Sequence, residues 1–375
     1  LSLAKKDMLF LWALLERRVR GNSGEREVVL FGHPIISLAY VGHAIRRGGY
    51  VTTVIVPGVY AINKASDFDM VAPSPLAFYR KVVSASVWVY YFDSFDCFFG
   101  FLRYCPGLVR RMVGARFVVM PYGADAMEYQ KVSDLTLRHA LMLSYPNTVQ
   151  REAKVRRSVE RLTGASDVVV GCISHTFNLL KWDVLPVHYY PIDLEKVDRL
   201  KPGVVKHDVF TVAHSPNHRG VKGTHLILQA IDELQAEGVS VRLSLIERSS
   251  NEDVIRQLHA SHLLIDQVIG GGYALSAMEG MACGIPVVAH ISKEVAEVFE
   301  IYSYLNHCPI VSCERTVASI KAAILRAMHD HEQLSSASRQ YVETFHSVEA
   351  LTQLWAAICD RNRTEDLMNF YLERP

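Results

Sequence analysis

Residues Glu27–Val56 read EVVLFGHPIISLAYVGHAIRRGGYVTTVIV. After Glu27 the run to Phe31 is wholly apolar, which marks a strand covered on both faces rather than one with a solvated side. Gly32-His33-Pro34 breaks it. Ile35–Arg47 then spaces its apolar residues as one face of a helix, Gly48-Gly49 ends that helix, and Tyr50–Val56 reads as a second strand. Strand, turn, helix and strand in this order build a parallel sheet with helices packed on it.

The same grammar continues outward. Val87–Phe92, Arg116–Met120, Asp167–Cys172 and Val187–Tyr190 read as strands, with helical spacing over Gln150–Leu162. The polar segment Leu194–Asp208, with Lys201-Pro202-Gly203 at its centre, reads as a linker. A second set follows: strands Val209–His214 and Ser240–Ile246, helices Thr224–Glu237 and Asn251–Ala260, and short strands Leu263–Ile265 and Pro286–Ala289 around a helix Ala274–Ala282. Late helices are expected over Val317–His329 and Ser347–Cys359. The expected fold is α/β, two Rossmann-like doubly wound domains facing each other across a cleft. The boundaries are a helical extension 1–26, a first domain 27–194, a second domain 208–345, and C-terminal helices 346–375 that cross back to the first domain.

Composition agrees with this size and class. A chain of 375 residues exceeds the ~100–200 of one typical domain. Half of it is hydrophobic and 21% is charged, which excludes a disordered chain. The 40 basic and 39 acidic residues nearly cancel, so a globally basic nucleic-acid binder is not expected. Residues 1–194 hold 23 basic against 16 acidic groups, and residues 195–375 hold 17 against 23. The two halves are thus expected to meet different partners. The seven cysteines form no C-x-x-C and sit mostly in apolar runs, which favours buried thiols in a reducing compartment. Met8–Leu15 is too short for a signal, and Val82–Leu102 carries Asp93 and Asp96, so neither spans a membrane. The expected location is the cytoplasm.

Two loops carry the candidate chemistry. In Gly270–His290, GGGYALSAMEGMACGIPVVAH, three glycines precede a helix whose free N–H groups suit a phosphate. Glu279 lies about a turn and a half into that helix, where a carboxylate can accept from both hydroxyls of a ribose. In His214–Thr224, HSPNHRGVKGT, Arg219 and Lys222 lie three apart between a strand and a helix. Two cations there can hold a diphosphate and neutralise its charge as it leaves. Each loop also has a plain structural reading: a glycine turn before a core helix, and a solvated basic loop.

Together these stretches resemble the donor-binding half of GT-B glycosyltransferases, in particular the glycosyltransferase family four group. That family shows an Arg and a Lys-Gly early in its second domain, and later E-G-F-G-L-x-x-x-E-A-M-A-C-G-x-P-V-V. Gly272-Tyr273-Ala274-Leu275 matches loosely and Glu279–Gly284 closely. The resemblance implies that Arg219 and Lys222 bind the donor diphosphate, that Glu279 binds the ribose, and that Gly272, Tyr273 and Ala274 present backbone amides. The family's first glutamate, which contacts the transferred sugar, falls here on Gly271. In the first half, Gly32 and His33 correspond to the family's glycine loop, and Pro121–Asp125 resembles its H-G-x-D with Tyr122 in place of the histidine. Asp125 is the expected acceptor-side catalytic residue; a helix cap is its structural alternative.

The resemblance implies a retaining transferase that moves a sugar from a nucleotide-activated donor to a hydroxyl of a glycan or lipid-linked acceptor, in cell-surface polysaccharide or glycoconjugate synthesis. No obligatory metal is expected: Asp67-Phe68-Asp69 mimics a metal-binding D-x-D of a different fold, and His329–Glu332 does not have ligand spacing. Lys5, Lys6, Arg17, Arg18 and Arg20 accompany Leu9, Phe10, Trp12 and Leu14, a pattern that suits peripheral association with an anionic membrane. Two alternatives stand beside the transferase: an inactive sugar-nucleotide-binding partner subunit, suggested by Gly271 and Tyr122, and a sugar-nucleotide epimerase on the same fold.

Overall fold

The computed structural model describes residues 1–20, 26–60, 63–173, 179–202, 209–302 and 307–360. Chain contacts divide it into two units. The first comprises Leu1–Lys131, Gln150–Pro191 and the chain from Leu351 on; the second comprises Val132–Val149 and Ile192–Ala350.

The first unit is built on a six-stranded sheet of order β3-β2-β1-β4-β5-β6, every pair parallel. Its strands are β1 (Glu27–Phe31), β2 (Val51–Val56), β3 (Met70–Val71), β4 (Val87–Tyr91), β5 (Arg116–Met120) and β6 (Val168–Val169). The central strands β4 and β5 are buried at every position, because helices cover both faces. Those helices are α1 (Leu3–Arg20), α2 (Ile36–Arg47), α3 (Pro75–Ser84), α4 (Ser94–Phe98) and α5 (Pro106–Val113). The core is aromatic: Trp88 stacks on Phe117 at 4.7 Å, Phe95 on Phe99 at 4.7 Å, and Phe31 meets Trp88 edge-on at 5.6 Å.

The second unit opens with α6 (Leu135–Ser144) and α7 (Pro146–Val149), after which α8 (Glu152–Ala165) returns to the first. The sequence reading kept 132–149 in the first domain. Its packing explains why it groups with the second: the Tyr145 ring lies 4.2 Å from that of His218, Asp134 pairs with Arg315, and a Cβ on Gly220 would lie 3.0 Å from Ser144 Oγ.

The polar linker in turn begins as a helix, α9 (Leu194–Arg199), started by the Asp193 carboxylate, which accepts from Lys196 N–H at 2.9 Å. Residues 203–208 of that expected linker lie outside the described residues. The second sheet has order β11-β10-β9-β7-β8, again all parallel. Its strands are β7 (Phe210–His214), β8 (Val241–Leu245), β9 (Leu263–Ile265), β10 (Val287–Ala289) and β11 (Val311–Ser312). Its helices are α10 (Arg219–Lys222), α11 (Thr224–Ala236), α12 (Asn251–His259), α13 (Leu275–Ala282), α14 (Lys293–Tyr302), α15 (Val317–His329) and α16 (His331–Phe345). The core here is aliphatic, with Val212, Ile227, Ile231, Leu263, Ile265, Ile320 and Ile324 buried.

Three sequence expectations change. Val187–Tyr190 is not a strand; its first three residues are buried, and Tyr189 accepts the Trp355 indole N–H through its carbonyl at 2.7 Å. Asp167–Cys172 shortens to β6 and an isolated bridge from Val170 to Val184. His331–Phe345, which the sequence did not mark, is a helix that starts one residue after α15 ends, with no glycine or proline between to announce it. The last helix, α17 (Val348–Cys359), follows, and from Leu351 on it belongs to the first unit: Ile358 O accepts from Arg116 Nε at 2.9 Å. Residues 361–375 of the expected C-terminal helices lie outside the described residues.

Candidate functional site

The carboxyl edge of the second sheet gathers the donor-side candidates. The chain leaves β7 at His214, which is buried between Ile265 O (2.8 Å from Nδ1) and Thr224 Oγ1 (2.9 Å from Nε2). A carbonyl can only accept, so Nδ1 carries the hydrogen and Nε2 accepts from the Thr224 hydroxyl. Burial pushes this imidazole down to about 4, so it is a neutral strut.

The single turn α10 then ends at Gly223, with φ +70°. A Cβ there would lie 2.3 Å from Val268 Cγ2, so only glycine lets the 266–272 loop come this near. Two bonds fix the approach: Val268 N–H to Lys222 O and Gly270 N–H to Val221 O, each 3.2 Å.

Lys222 is buried, and its ammonium pairs with Asp266 while also reaching Ser276 Oγ at 3.3 Å. Asp266, the first residue after β9, collects the Ser276 hydroxyl at 2.5 Å and the Ala274 N–H at 2.8 Å as well. Burial works to raise this carboxyl, yet the Lys222 charge and these donors outweigh it and hold it below the usual carboxylate range. Arg219, in contrast, is exposed and makes a two-point pair with Glu247, at 2.8 and 2.7 Å.

Glu279 is 4% exposed on α13 and accepts from Asn251 Nδ2 at 2.6 Å. Burial pushes it up to about 7 despite that donor. Glu247 lies on the short connection from β8 into α12 and Asn251 is the first residue of that helix, so the partners of Arg219 and Glu279 stand four residues apart in the chain. The cationic loop and the helix tip therefore converge.

One donor-side expectation needs correction. The Ala274 amide is not open to a ligand, because Asp266 already holds it. The Tyr273 side chain points inward: it is fully buried, with its hydroxyl 3.0 Å from Tyr341 Oη and 2.9 Å from His346 Nε2. Gly272 accepts the Gln267 side-chain amide through its carbonyl at 2.7 Å. At Gly271 a Cβ would lie 2.8 Å from Ser292 Oγ and 2.9 Å from Ser292 Cβ, so the position has no room for a glutamate while Ser292 stays where it is.

The carboxyl edge of the first sheet holds a second cluster. Gly32, after β1, lets the chain pass Tyr91 and Ser94, where a Cβ would come within 2.5 and 2.9 Å. His33 Nε2 then lies 3.0 Å from Asp93 Oδ2, and its Nδ1 lies 3.0 Å from Tyr60 Oη. The Asp93 hydrogen bond holds His33 protonated, pushed up to about 11. Tyr122 donates its hydroxyl to the same Asp93 oxygen at 2.9 Å. The other oxygen, Oδ1, is buried without a hydrogen-bond partner among the described residues.

Asp125, the expected catalytic residue, is buried and fully occupied by backbone. It accepts from Tyr122 N–H and Gly123 N–H at 2.9 Å each and from Phe92 N–H at 3.1 Å. It ties the turn after β5 to the end of β4 rather than presenting a free lone pair, although burial and the nearby Asp93 push it up to about 8. Asp93 is the residue the sequence reading passed over. Its signal was there: it is the first acid after the apolar strand ending at Phe92, as Asp125 is after Met120. Asp266 was missed in the same way, four positions before the motif it serves.

Among the described residues, no group of three or more metal-ligating side chains is close enough to hold an ion. The D-x-D look-alike is structural, with Asp69 pairing with Arg46 and accepting Val54 N–H at 2.7 Å.

Comparison with known proteins fits this layout. Residues 228–343 match the family model described as Glycosyl transferases group 1. No curated protein matches the chain in sequence. Among solved structures, sucrose-phosphate synthase from Thermosynechococcus elongatus aligns with TM-score 0.57 at 13% identity, covering 88% of this chain and 97% of that one. HepE of Anabaena in complex with UDP-glucose aligns with TM-score 0.55 at 12% identity, covering 88% and 98%. The catalytic domain of starch synthase IV from Arabidopsis thaliana, bound to ADP and acarbose, aligns with TM-score 0.51 at 10% identity, covering 92% and 100%. At such identities the likeness establishes the architecture. The chain has the GT-B fold, and its residues 228–343 are similar to the glycosyl transferases group 1 family.

Proposed function

We propose that the protein is a glycosyltransferase that takes a sugar from a nucleotide-activated donor and passes it to a hydroxyl of a glycan or lipid-linked acceptor. The reading rests on one observation: Arg219, Lys222, Gly272 and Glu279 meet on one sheet edge, knitted by the bonds from Val268 and Gly270 to the α10 turn. In this reading Glu279 takes the ribose hydroxyls. Arg219, being exposed, exchanges Glu247 for a phosphate oxygen. The Lys222 ammonium, anchored by Asp266, adds a fixed positive charge beside the leaving diphosphate. The acceptor oxygen bonds to the anomeric carbon on the face from which the diphosphate departs, the bond from that carbon to the phosphate oxygen breaks, and the hydroxyl proton passes to the departing diphosphate oxygen. We assign recognition of the acceptor hydroxyl to the His33–Asp93–Tyr122 cluster, with the unpartnered Asp93 oxygen as its acceptor and Asp125 as the group that shapes the turn.

Retention of configuration, a role in cell-surface polysaccharide or glycoconjugate synthesis, action without an obligatory metal, and peripheral attachment to the cytoplasmic face of an anionic membrane complete the proposal. A panel of nucleoside diphosphates and their sugars, tested by thermal shift, checks its core. A ligand at ~100 times its dissociation constant adds about 2.7 kcal/mol of stability. No shift with any of them removes the donor-site reading. A second reading, an inactive nucleotide-binding partner subunit, draws on Gly271, whose Cβ direction is filled by Ser292. Nucleotide binding with neither transfer nor donor hydrolysis favours it.

A further inference from the structure

The helix before β1 has two apolar faces, and the fold uses one. Phe10, Ala13 and Leu14 of α1 are buried. Phe10 packs edge-on against Phe99 at 5.5 Å and Tyr79 at 5.9 Å. Asp7 accepts the backbone N–H groups of Gly100 (3.0 Å), Phe101 (2.6 Å) and Leu102 (3.3 Å). The fit is so close that a Cβ on Gly100 would lie 2.0 Å from Leu3 O. The helix is therefore locked by this side and has no freedom to turn its other side inward.

That other side consists of Met8, Leu11, Trp12, Leu15 and Val19, spaced i, i+3, i+4, i+7 and i+11, and exposed from 41% (Leu11) to 88% (Val19). It is an unbroken stripe running about 17 Å along the axis. Its exposed charges are Lys5 and Arg18, both basic. Both acids of the helix are partnered: Asp7 holds the amides above, and Glu16, at the stripe's edge, accepts the Trp12 indole N–H at 3.0 Å while its charge is paired with Arg80 at 2.7 and 2.8 Å. Phe101 and Tyr104 add two exposed rings on the turn that Asp7 secures, with the Arg103 guanidinium 4.7 Å over the Tyr104 ring.

We infer that the Met8–Val19 stripe of α1 lies in the surface of an anionic lipid bilayer, its apolar side chains among the acyl chains and Lys5 and Arg18 at the headgroups. An apolar stripe with basic ends and an aromatic ring fits an interfacial helix. No described helix is long and apolar enough to cross a membrane, so the contact is in-plane. A second copy of the chain is the weaker occupant. A two-fold pairing of antiparallel stripes sets Lys5 of one copy against Arg18 of the other, and like charges repel. This inference deepens the membrane part of the proposed function and does not depend on sugar transfer.

The test is vesicle flotation of the full chain with phosphatidylcholine alone and with added phosphatidylglycerol. The wild type should float with the anionic vesicles only, and less so at high salt. L11E/L15E, at exposed positions, should reduce binding by at least about tenfold with an unchanged melting temperature. K5Q/R18Q should reduce it about fivefold per charge removed. It guards the test should L11E/L15E disturb the fold. Absence of wild-type binding, or binding that both variants retain, overturns the inference. So does a concentration-dependent dimer in sedimentation velocity that L11E/L15E dissolves. Nucleotide-induced thermal shifts, read on the same variants, should persist; their absence in every protein sinks the donor-site reading while leaving the lipid result to stand alone.

Discussion

The two units share an architecture and place their polar residues on the same edge of a parallel sheet, yet they satisfy them differently. In the second unit opposite charges are matched inside the protein: Lys222 is buried against Asp266, and Arg219 is paired with Glu247. In the first, burial and the nearby Asp93 raise Asp125, and the cation beside Asp93 is His33. The second edge is a frame of matched opposite charges. The first is an acid-rich cluster in which, among the described residues, one buried carboxylate oxygen has no partner. The cores differ too, aromatic in the first unit and aliphatic in the second. All four tryptophans, Trp12, Trp88, Trp182 and Trp355, belong to the first unit, so their fluorescence reports on that unit alone.

The largest effect expected from this contrast is on Asp266. D266A leaves the Lys222 ammonium buried without its carboxylate, which costs about 3–5 kcal/mol. Urea unfolding followed by far-ultraviolet circular dichroism should show an early transition, while the tryptophan signal keeps its wild-type midpoint. K222M/D266L, which removes both charges, should recover most of the loss. A tryptophan transition that moves with the first would show that the two units do not unfold separately.

Next in size is Glu279. Folding raises its pKa from the ordinary 4.5 to about 7, so between those values the folded state holds a proton that the unfolded state has released. Its contribution to stability is full below 4.5 and disappears as pH rises through 7, a range of about 3 kcal/mol. E279Q should flatten stability across that window. E279A should weaken nucleotide binding about tenfold or more in calorimetry. Nucleotide affinity unchanged in E279A would move the ribose site elsewhere.

On the first unit, D93N removes the bond that holds His33 charged. The His33 ring should titrate near its ordinary 6.5 in the variant, against about 11 in the wild type, as read by NMR. The stabilisation that wild-type His33 gains from Asp93 is full below about 6.5 and is lost as pH rises through 11, so the two proteins should converge in strongly alkaline buffer. A ring that titrates near neutrality in the wild type breaks the proposed pair.

The smallest stability effect belongs to R219A. Its pair with Glu247 is exposed, so the melting temperature should not change. Diphosphate affinity should still fall several-fold, which separates a binding role from a structural one.

Much of this was legible in the residues. Strands such as Glu27–Phe31, Val87–Phe92 and Phe210–His214 announced themselves, because a strand covered on both faces must be apolar throughout. The glycines near Gly270 marked a backbone able to come close to a ligand. The sequence by itself therefore determined two sets of parallel strands and helices, the order in which they follow, and the two loops that carry the donor-side residues.

The tertiary structure alone decided what each polar group does there. A carboxylate becomes a cap, an ion-pair partner or an open acceptor according to which donors a neighbouring strand end delivers. Those donors lie far off in the chain: Phe92 for Asp125, Lys222 for Asp266, Asn251 for Glu279. Local pattern does not encode that distance. For the same reason Tyr273 turned inward to His346, 132–149 grouped with the second unit, and the helix 331–345 stayed unmarked until its packing was seen.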